Sequence, residues 1–443
     1  MILRFRYALL ATALLAAPTT FAADARTQAC VVHSTALLDA LVRGDYAHAG
    51  KDFNTQITAA LDADKLKQVW AQVQAQAGTY QKHAAPTLQT MAGQRMVVTR
   101  TSFANMPLNV LVACDTDGRI NIFRLIPTAQ SRAAQAEASG PGERAVEVKS
   151  PLGPLPGTLT MPKGAGPFPA VVLVGGSGPH DRDETIGPNK PFRDLAHGLA
   201  AAGIASLRYD KRTLVYGAKL AADTHFTVDQ EVTDDALSAL NALARQPHIN
   251  RRRLFVIGHS LGAMLAPRIG QRDPRLAGLV LMAAPARPLL AVSAQQLREL
   301  GAGKGATATQ IAAQEKAIVD ERALLDKADP AQPPSGSFGN APQSYWLSLH
   351  QYDQVAVAKG LSMPMLFLQG GADFQVSPTM DFAGWKHALG DKAPVSFHLY
   401  PGLSHLFMPA GKTGSIADYN VPAHVDAAVV DDIAAWIKAQ SPR

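Results

Sequence analysis

A serine, an aspartate and a histidine stand in that chain order at Ser260, Asp373 and His405, each following a short apolar run. Such a trio performs nucleophilic acyl transfer. A serine hydroxyl is a poor nucleophile near neutral pH and needs a base to take its proton as it attacks. Histidine suits that task, because its ordinary pKa of about 6.5 leaves it mostly neutral near pH 7. A carboxylate then fixes the imidazole tautomer and stabilises the imidazolium. Ser260 lies in Gly258-His259-Ser260-Leu261-Gly262, after the buried-strand run 254–257 and before a helical start at 263–266. The spacing G-x-S-x-G is common by chance and takes its meaning from the strand, sharp turn, helix context. The turn strains the serine backbone, so the residues two before and two after it must lack bulk.

Asp373 follows a strand at 365–369 that ends in Gly370-Gly371, and His405 follows a strand at 395–400. Both stand at strand carboxyl ends, where open α/β sheets build their sites. The competing groups are placed less well. His398 falls inside a strand, His424 inside the last helix, and His259 beside the serine points away from it. Asp381, the alternative acid, lies in the helix after Asp373. An oxyanion needs two backbone donors aimed at the developing charge. One is the N–H of Leu261; the other comes from the loop 175–183, with Ser177 as second donor and Gly178 as alternate. That loop has neither the G-x-G-x-x-G nor the G-x-x-x-x-G-K-[ST] pattern of phosphate binding. The 13 histidines are scattered, with no H-E-x-x-H and no C-x-x-C, so neither metal nor cofactor is expected.

The elements that must position these groups alternate from residue 145 onward. An opening hairpin at 146–148 and 155–161 precedes strands at 170–174, 204–208, 254–257, 279–283, 365–369 and 395–400. Helices fall between them at 192–202, 228–244, after the serine, and at 421–439. Alternation of short apolar strands with helices implies an α/β fold, a mostly parallel sheet covered on both faces. A helical insertion at about 286–361 interrupts it. Its aromatics Tyr345, Trp346 and Tyr352, with His350, either line an acyl pocket or pack the insertion onto the body. Residues 30–127 read differently, as helices over 34–77 followed by strands at 79–91, 94–103, 108–114 and 119–126, with Asp117-Gly118 as a hairpin turn. They form a small α+β domain, joined by the Ala/Gln/Ser/Gly linker 128–144 to a catalytic domain at 145–443.

Arg4 and Arg6 ahead of the apolar run 7–17, followed by small residues, make residues 1–22 a secretory signal. The run is shorter than the roughly 20 residues of a membrane span. A periplasmic or secreted protein without stable membrane insertion is expected. There Cys30 and Cys114 either bridge or remain two buried thiols. The net charge of +6 is modest and interspersed. Arg251-Arg252-Arg253 starts a strand in solvent, and no basic stripe suggests a nucleic-acid partner.

Several of these motifs together resemble serine esterases of the α/β-hydrolase superfamily: Gly175-Gly-Ser-Gly-Pro with Asp181-Arg-Asp183, Arg208-Tyr-Asp-Lys-Arg212, Gly258-His-Ser-Leu-Gly262, Gly370-Gly-Ala-Asp373 and Ser404-His405. The stretch from Leu37 through Gly44-Asp-Tyr46, Phe53-Asn54 and Trp70 to Gly78-Thr-Tyr80 resembles the amino-terminal domain of some bacterial members, itself similar to nuclear-transport-factor-like folds. That domain is expected to serve as a spacer or dimerisation unit rather than as a binding module. The resemblance implies a lid at the insertion and a cofactor-free carboxylesterase for short acyl chains, with Ser260, Asp373 and His405 at the matching positions. Asp181, Arg182, Asp183 and Asp210 are expected to hold loops through ion pairs. Alternatives of the same fold are a peptidase or amidase, an acyl-thioester hydrolase, or a catalytically inactive binding protein.

Overall fold

The computed structural model describes residues 19–91, 94–104, 107–127, 140, 142–220, 223–301, 307–329, 331–339, 341–392, 394–411 and 416–442. The apolar leader run and nearly all of the linker 128–144 lie outside them. Two compact units divide the chain, Met1–Gln135 and Ala136–Arg443.

In the first unit, helix Thr19–Arg43 buries Leu37, Leu38 and Leu41, and helix Ala63–Ala77 buries Leu66 and Trp70. These spacings of three and four residues put each set on one helical face. Asp62 caps the second helix by accepting from Lys65 N at 2.9 Å. The faces pack on an antiparallel sheet made of β1 (Tyr80–His83), β2 (Thr87–Met91), β3 (Gln94–Phe103), β4 (Pro107–Cys114) and β5 (Ile120–Pro127). The expected strand 79–91 is broken into β1 and β2, which pair with successive parts of β3. Pro86, which has no N–H to give to a ladder, falls in the break. Cys30 and Cys114 are joined by a disulfide, with Cα atoms 5.9 Å apart and a sequence separation of 84. Closing so long a loop restricts the unfolded chain. The double variant Cys30→Ala/Cys114→Ala is therefore expected to lose about 2–5 kcal/mol of stability in this unit. Reduced amide-exchange protection of β3 and β4 is the check; unchanged protection would dismiss the contribution.

The second unit is built on eight strands. They are β6 (Glu143–Val148), β7 (Leu155–Thr160), β8 (Phe168–Val174), β9 (Ala205–Tyr209), β10 (Ile249–His259), β11 (Gly278–Met282), β14 (Met365–Gly370) and β15 (Val395–Tyr400), with the two-residue strands β12 (Ser337–Phe338) and β13 (Ala341–Pro342) paired apart from them. Their order is β15-β14-β11-β10-β8-β9-β7-β6, parallel from β15 to β9, with β7 and β6 antiparallel at one edge. Along β8, Ala170, Val172 and Val174 point into one core and Val171 and Leu173 into the other. That alternation is the two-residue period of a strand covered on both faces. Helices Asp234–Ala244 and Leu261–Arg272 cover the first face, Pro191–Ala201 and Ala427–Ala439 the second. The connection reverses direction at β8, whose neighbours are β9 and β10, so a crevice opens at their carboxyl ends.

Two helices start differently from the sequence expectation. The helix expected at 228–244 opens with a π turn, Asp229–Thr233, that buries Glu231; such a widened turn commonly marks a place where a polar side chain is put to use. The last helix begins at Ala427, capped by Asp426 accepting from Ala428 N, so His424 lies ahead of it, exposed beside Asp194. Pro422 sits in the stretch that stays non-helical.

Between β11 and β14 the chain leaves the sheet for helices Leu289–Gly301, Ala308–Leu325, Gln343–His350 and Gln354–Gly360. The polar ends of its aromatics are used for packing. Tyr345 Oη donates to Glu231 at 2.7 Å, Tyr352 Oη to Met264 O at 3.1 Å, and Trp346 Nε1 to Phe338 O at 2.9 Å. The root is fixed by Asp381, fully buried, which pairs with Arg287 at 2.6 Å and accepts from the N–H groups of Ala286 and Arg287. Among the described residues, no helix is long and apolar enough to cross a membrane.

Candidate active site

The serine turn follows from steric contacts that only glycine permits. A Cβ on Gly258 would lie 2.4 Å from Gly262 O, and one on Gly262 would lie 2.1 Å from Val174 O. Neither fits, so strand β10, its helix and β8 approach as closely as they do only because both positions lack a side chain. Ser260 itself has φ 53° and ψ −117°, a strained region for a residue with a Cβ. Its N–H is held by Met282 O at 2.9 Å and its side chain is half-buried. Register places Gly258 opposite Val174, so the loop after β8 lies against this turn. A Cβ on Gly176 would touch Ser260 Cβ at 3.2 Å.

Asp373 and His405 arrive from the neighbouring strands β14 and β15, where Gly370 pairs with Tyr400. Gly370 and Gly371 face backbone of the histidine loop so closely that a Cβ would lie 2.3 Å from Ser404 O or 2.6 Å from Pro401 Cα. His405 Nδ1 and Asp373 Oδ2 meet at 2.7 Å, both side chains buried. Asp373 is itself fixed, with Oδ1 accepting from the N–H of Gln375 at 2.7 Å and of Val376 at 2.9 Å, and Oδ2 from Gln369 Nε2 at 2.8 Å. A carboxylate at Nδ1 assigns the proton to that nitrogen and leaves Nε2 as an acceptor. The structure thus brings two of the three expected groups into contact. The Ser260 hydroxyl makes no hydrogen bond among the described residues. Asp381 is occupied by Arg287 at the insertion's root. The N–H groups of Leu261 and Ser177 donate to no acceptor among the described residues.

Residues 189–409 match the family model Hydrolase_4, described as serine aminopeptidase S33. Residues 34–123 match a family described only as a protein of unknown function, DUF3887. Esterase EstD of Thermotoga maritima is 34% identical over 385 residues, which is 87% of this chain and 89% of that protein. The chain belongs to the α/β-hydrolase serine esterases. A shorter likeness joins this esterase to Esterase FrsA of Klebsiella pneumoniae, 30% identical over 133 residues, which is 30% of this chain and 29% of that protein. Of solved structures, Est1E from Butyrivibrio proteoclasticus covers 67% of this chain and 99% of its own at 14% identity, with a TM-score of 0.44.

Around its site the esterase carries a buried carboxylate, Glu184, that the sequence reading did not single out. His259 sits between two loops of the site, its Nδ1 at ion-pair distance, 3.0 Å, from Glu184 Oε2 and its Nε2 2.9 Å from His405 O. Burial alone would lower the His259 pKa, but the Glu184 carboxylate and the His405 carbonyl raise it. Burial pushes Glu184 up, and the positive charge of His259, with His180 and the Gly176 N–H, outweighs it and brings the carboxyl to about 2. Glu184 Oε1 also accepts from Gly176 N at 2.6 Å, so one ion pair ties the loop after β8 to the histidine loop.

The raised His259 pKa stabilises the fold below its ordinary 6.5, a contribution lost as pH rises through the folded value. The depressed Glu184 pKa stabilises it above the ordinary 4.5, a contribution lost as pH falls towards 2. The melting-temperature gap between wild type and Glu184→Gln/His259→Gln is therefore expected to be widest between about pH 4.5 and 6.5 and to shrink on either side. A gap independent of pH would mean that the pair is not charged.

The other loop charges hold their loops, Arg182, Asp183 and Asp210 through the expected ion pairs, and Asp181 through hydrogen bonds from Thr185 instead of an ion pair. Arg182 grips Asp210 with two nitrogens at 2.9 and 3.0 Å, Arg208 reaches Asp183 at 2.8 Å and Glu143 at 2.6 Å, and Asp181 accepts from Thr185 N at 2.8 Å. No cluster of three or more His, Cys, Asp or Glu that could hold a metal occurs among the described residues.

Proposed function

We propose that this esterase hydrolyses carboxylic esters through an acyl-enzyme formed on Ser260. The observation that carries the reading is the buried His405–Asp373 contact at 2.7 Å, set on loops that converge on a strained serine turn. His405 Nε2 takes the hydroxyl proton as Ser260 Oγ attacks the ester carbonyl, and Asp373 stabilises the imidazolium that forms. The tetrahedral oxyanion is met by the N–H groups of Leu261 and Ser177. The proton then passes from His405 to the leaving alkoxide, and water repeats the sequence on the acyl-enzyme. The open link, Ser260 Oγ to His405 Nε2, is of the kind that tightens in the substrate complex.

The resemblance supports short acyl chains, and the leader together with the Cys30–Cys114 bridge supports export to an oxidising compartment such as the periplasm. One observation favours a second reading: the matching family model is described as a serine aminopeptidase. The deciding experiment compares nitrophenyl acetate, butyrate and longer esters with amino-acyl nitroanilides on the purified protein. A burst of nitrophenol followed by slower turnover, with kcat/KM falling along the acyl series and anilides near background, is expected. Anilides turned over as fast as esters would favour the aminopeptidase.

A further inference from the structure

One buried cation near the site is left without a task by the chemistry above. Lys211, just past β9, is 4% exposed. Its Nζ lies 2.6 Å from Gly176 O and 2.7 Å from Glu231 Oε1. Glu231, on the π turn, accepts through its other oxygen from Tyr345 Oη at 2.7 Å. Tyr345 belongs to the insertion and stacks on Phe226, ring centres 6.0 Å apart. A chain of polar contacts thus runs from the insertion to the carbonyl of Gly176.

That carbonyl is not an arbitrary acceptor. Gly176 C=O and Ser177 N–H are the two ends of one planar peptide group, trans in this structure, so they point in opposite directions. Holding the oxygen on the Lys211 ammonium fixes where the Ser177 N–H points. A cation at the oxygen also draws electron density out of the amide and makes its N–H a stronger donor. The preceding peptide is held separately, by Glu184 at Gly176 N. The lysine stem lies along the same loop, where a Cβ on Gly175 would sit 3.8 Å from Lys211 Cδ. A buried, paired ammonium is seldom an advantage over an apolar side chain of similar volume, which argues that this charge is kept for a task other than stability.

We propose that Lys211 is a positioning residue for the oxyanion hole. It orients and polarises the Gly176–Ser177 peptide, while Glu231 and Tyr345 hold it in place from the insertion. The inference rests on the reading of Ser177 N–H as an oxyanion donor and of Ser260 as the nucleophile.

The test compares Lys211→Met, Tyr345→Phe and Ser260→Ala with wild type on nitrophenyl acetate. A simple arylboronic acid serves as the second probe, since its adduct with the serine places an oxygen where the oxyanion forms. Lys211→Met is expected to lose about 10- to 100-fold in kcat with KM within about 3-fold, and boronic acid affinity is expected to fall by a similar factor. Tyr345→Phe is expected to move both in the same direction by about 2- to 10-fold. A mere packing defect would not lower kcat and boronic acid affinity in step. If Lys211→Met does not fold, Lys211→Gln, which keeps a donor without the charge, is judged with Tyr345→Phe by the same criteria. Unchanged kcat and boronic acid affinity in the lysine variant, with Ser260→Ala inactive, overturns the role of Lys211 and leaves the nucleophile in place. A loss confined to KM, or a fall in kcat without one in boronic acid affinity, overturns it too. Ser260→Ala as active as wild type removes the underlying reading.

Discussion

Replacing Ser260 by alanine is expected to lower kcat for ester hydrolysis by roughly ten-thousand- to a million-fold, leaving only the catalysis that binding and the oxyanion donors supply. The same replacement should scarcely change the melting temperature. The Ser260 hydroxyl makes no hydrogen bond among the described residues, so its removal orphans no partner. The strained φ of 53° is no worse for alanine, which keeps the same Cβ. Loss of activity with retained stability is what separates a nucleophile from a structural serine. Single-turnover measurement of nitrophenol release, beside a thermal melt, reads both at once, and a variant with a tenth or more of wild-type kcat would remove Ser260 from the mechanism.

Asp373→Asn is expected to produce the second largest effect, about a thousand- to ten-thousand-fold in kcat. Four donors converge on this carboxylate: Gln375 N and Val376 N on one oxygen, Gln369 Nε2 and His405 Nδ1 on the other. An asparagine has one oxygen for them. If its amide group faces His405, Nδ1 must give up its proton, Nε2 then carries it, and the base can no longer accept from serine. In the opposite orientation the amide meets the two backbone N–H groups head on, and a loss of about 1–3 kcal/mol in stability accompanies the loss in rate. Asp381→Asn provides the contrast, because that carboxylate serves Arg287 and the root of the insertion. It should weaken the fold and leave the pH dependence of kcat/KM unchanged. An Asp373→Asn enzyme with near-normal kcat would transfer the acid role elsewhere.

The parts of this site that were legible in the sequence are those whose geometry is local. Gly258 and Gly262 flank Ser260 within five residues, and Gly370-Gly371 precede Asp373 with only Ala372 between, so the close backbone approaches they permit were readable as spacing. His405 was readable because it lies in the short loop, Pro401-Gly-Leu-Ser-His405, that follows a strand. The supporting charges were not. Lys211 meets Gly176 across 35 residues and Glu231 across 20, and Tyr345 reaches Glu231 across 114. Lysine and glutamate are ordinary surface residues, and nothing in their types separates a buried pair from a solvated one until the sheet has formed. Lys211 and Glu184 did lie in or next to quoted motifs, which was the available signal. Helix boundaries failed for a related reason. Apolar periodicity continues through 228–244 whether or not the first turn is widened, and it runs past Val421 although Pro422 and the Asp426 cap delay the helix to Ala427.

The insertion departs from the end of β11 and rejoins the chain at β14, and these two strands are hydrogen-bonded neighbours. The strands run parallel, with Met282 opposite Leu368, so the exit and the re-entry lie at opposite ends of the pair, held roughly 11 Å apart by the sheet itself whatever lies between them. A scaffold wired in this way fixes where any replacement segment must leave and rejoin, so that a chimera can exchange the excursion with the strands left undisturbed. The donor segment would need to supply an equivalent of the Tyr345 hydroxyl, because a graft that satisfies only the junctions leaves the Glu231 carboxylate one partner short.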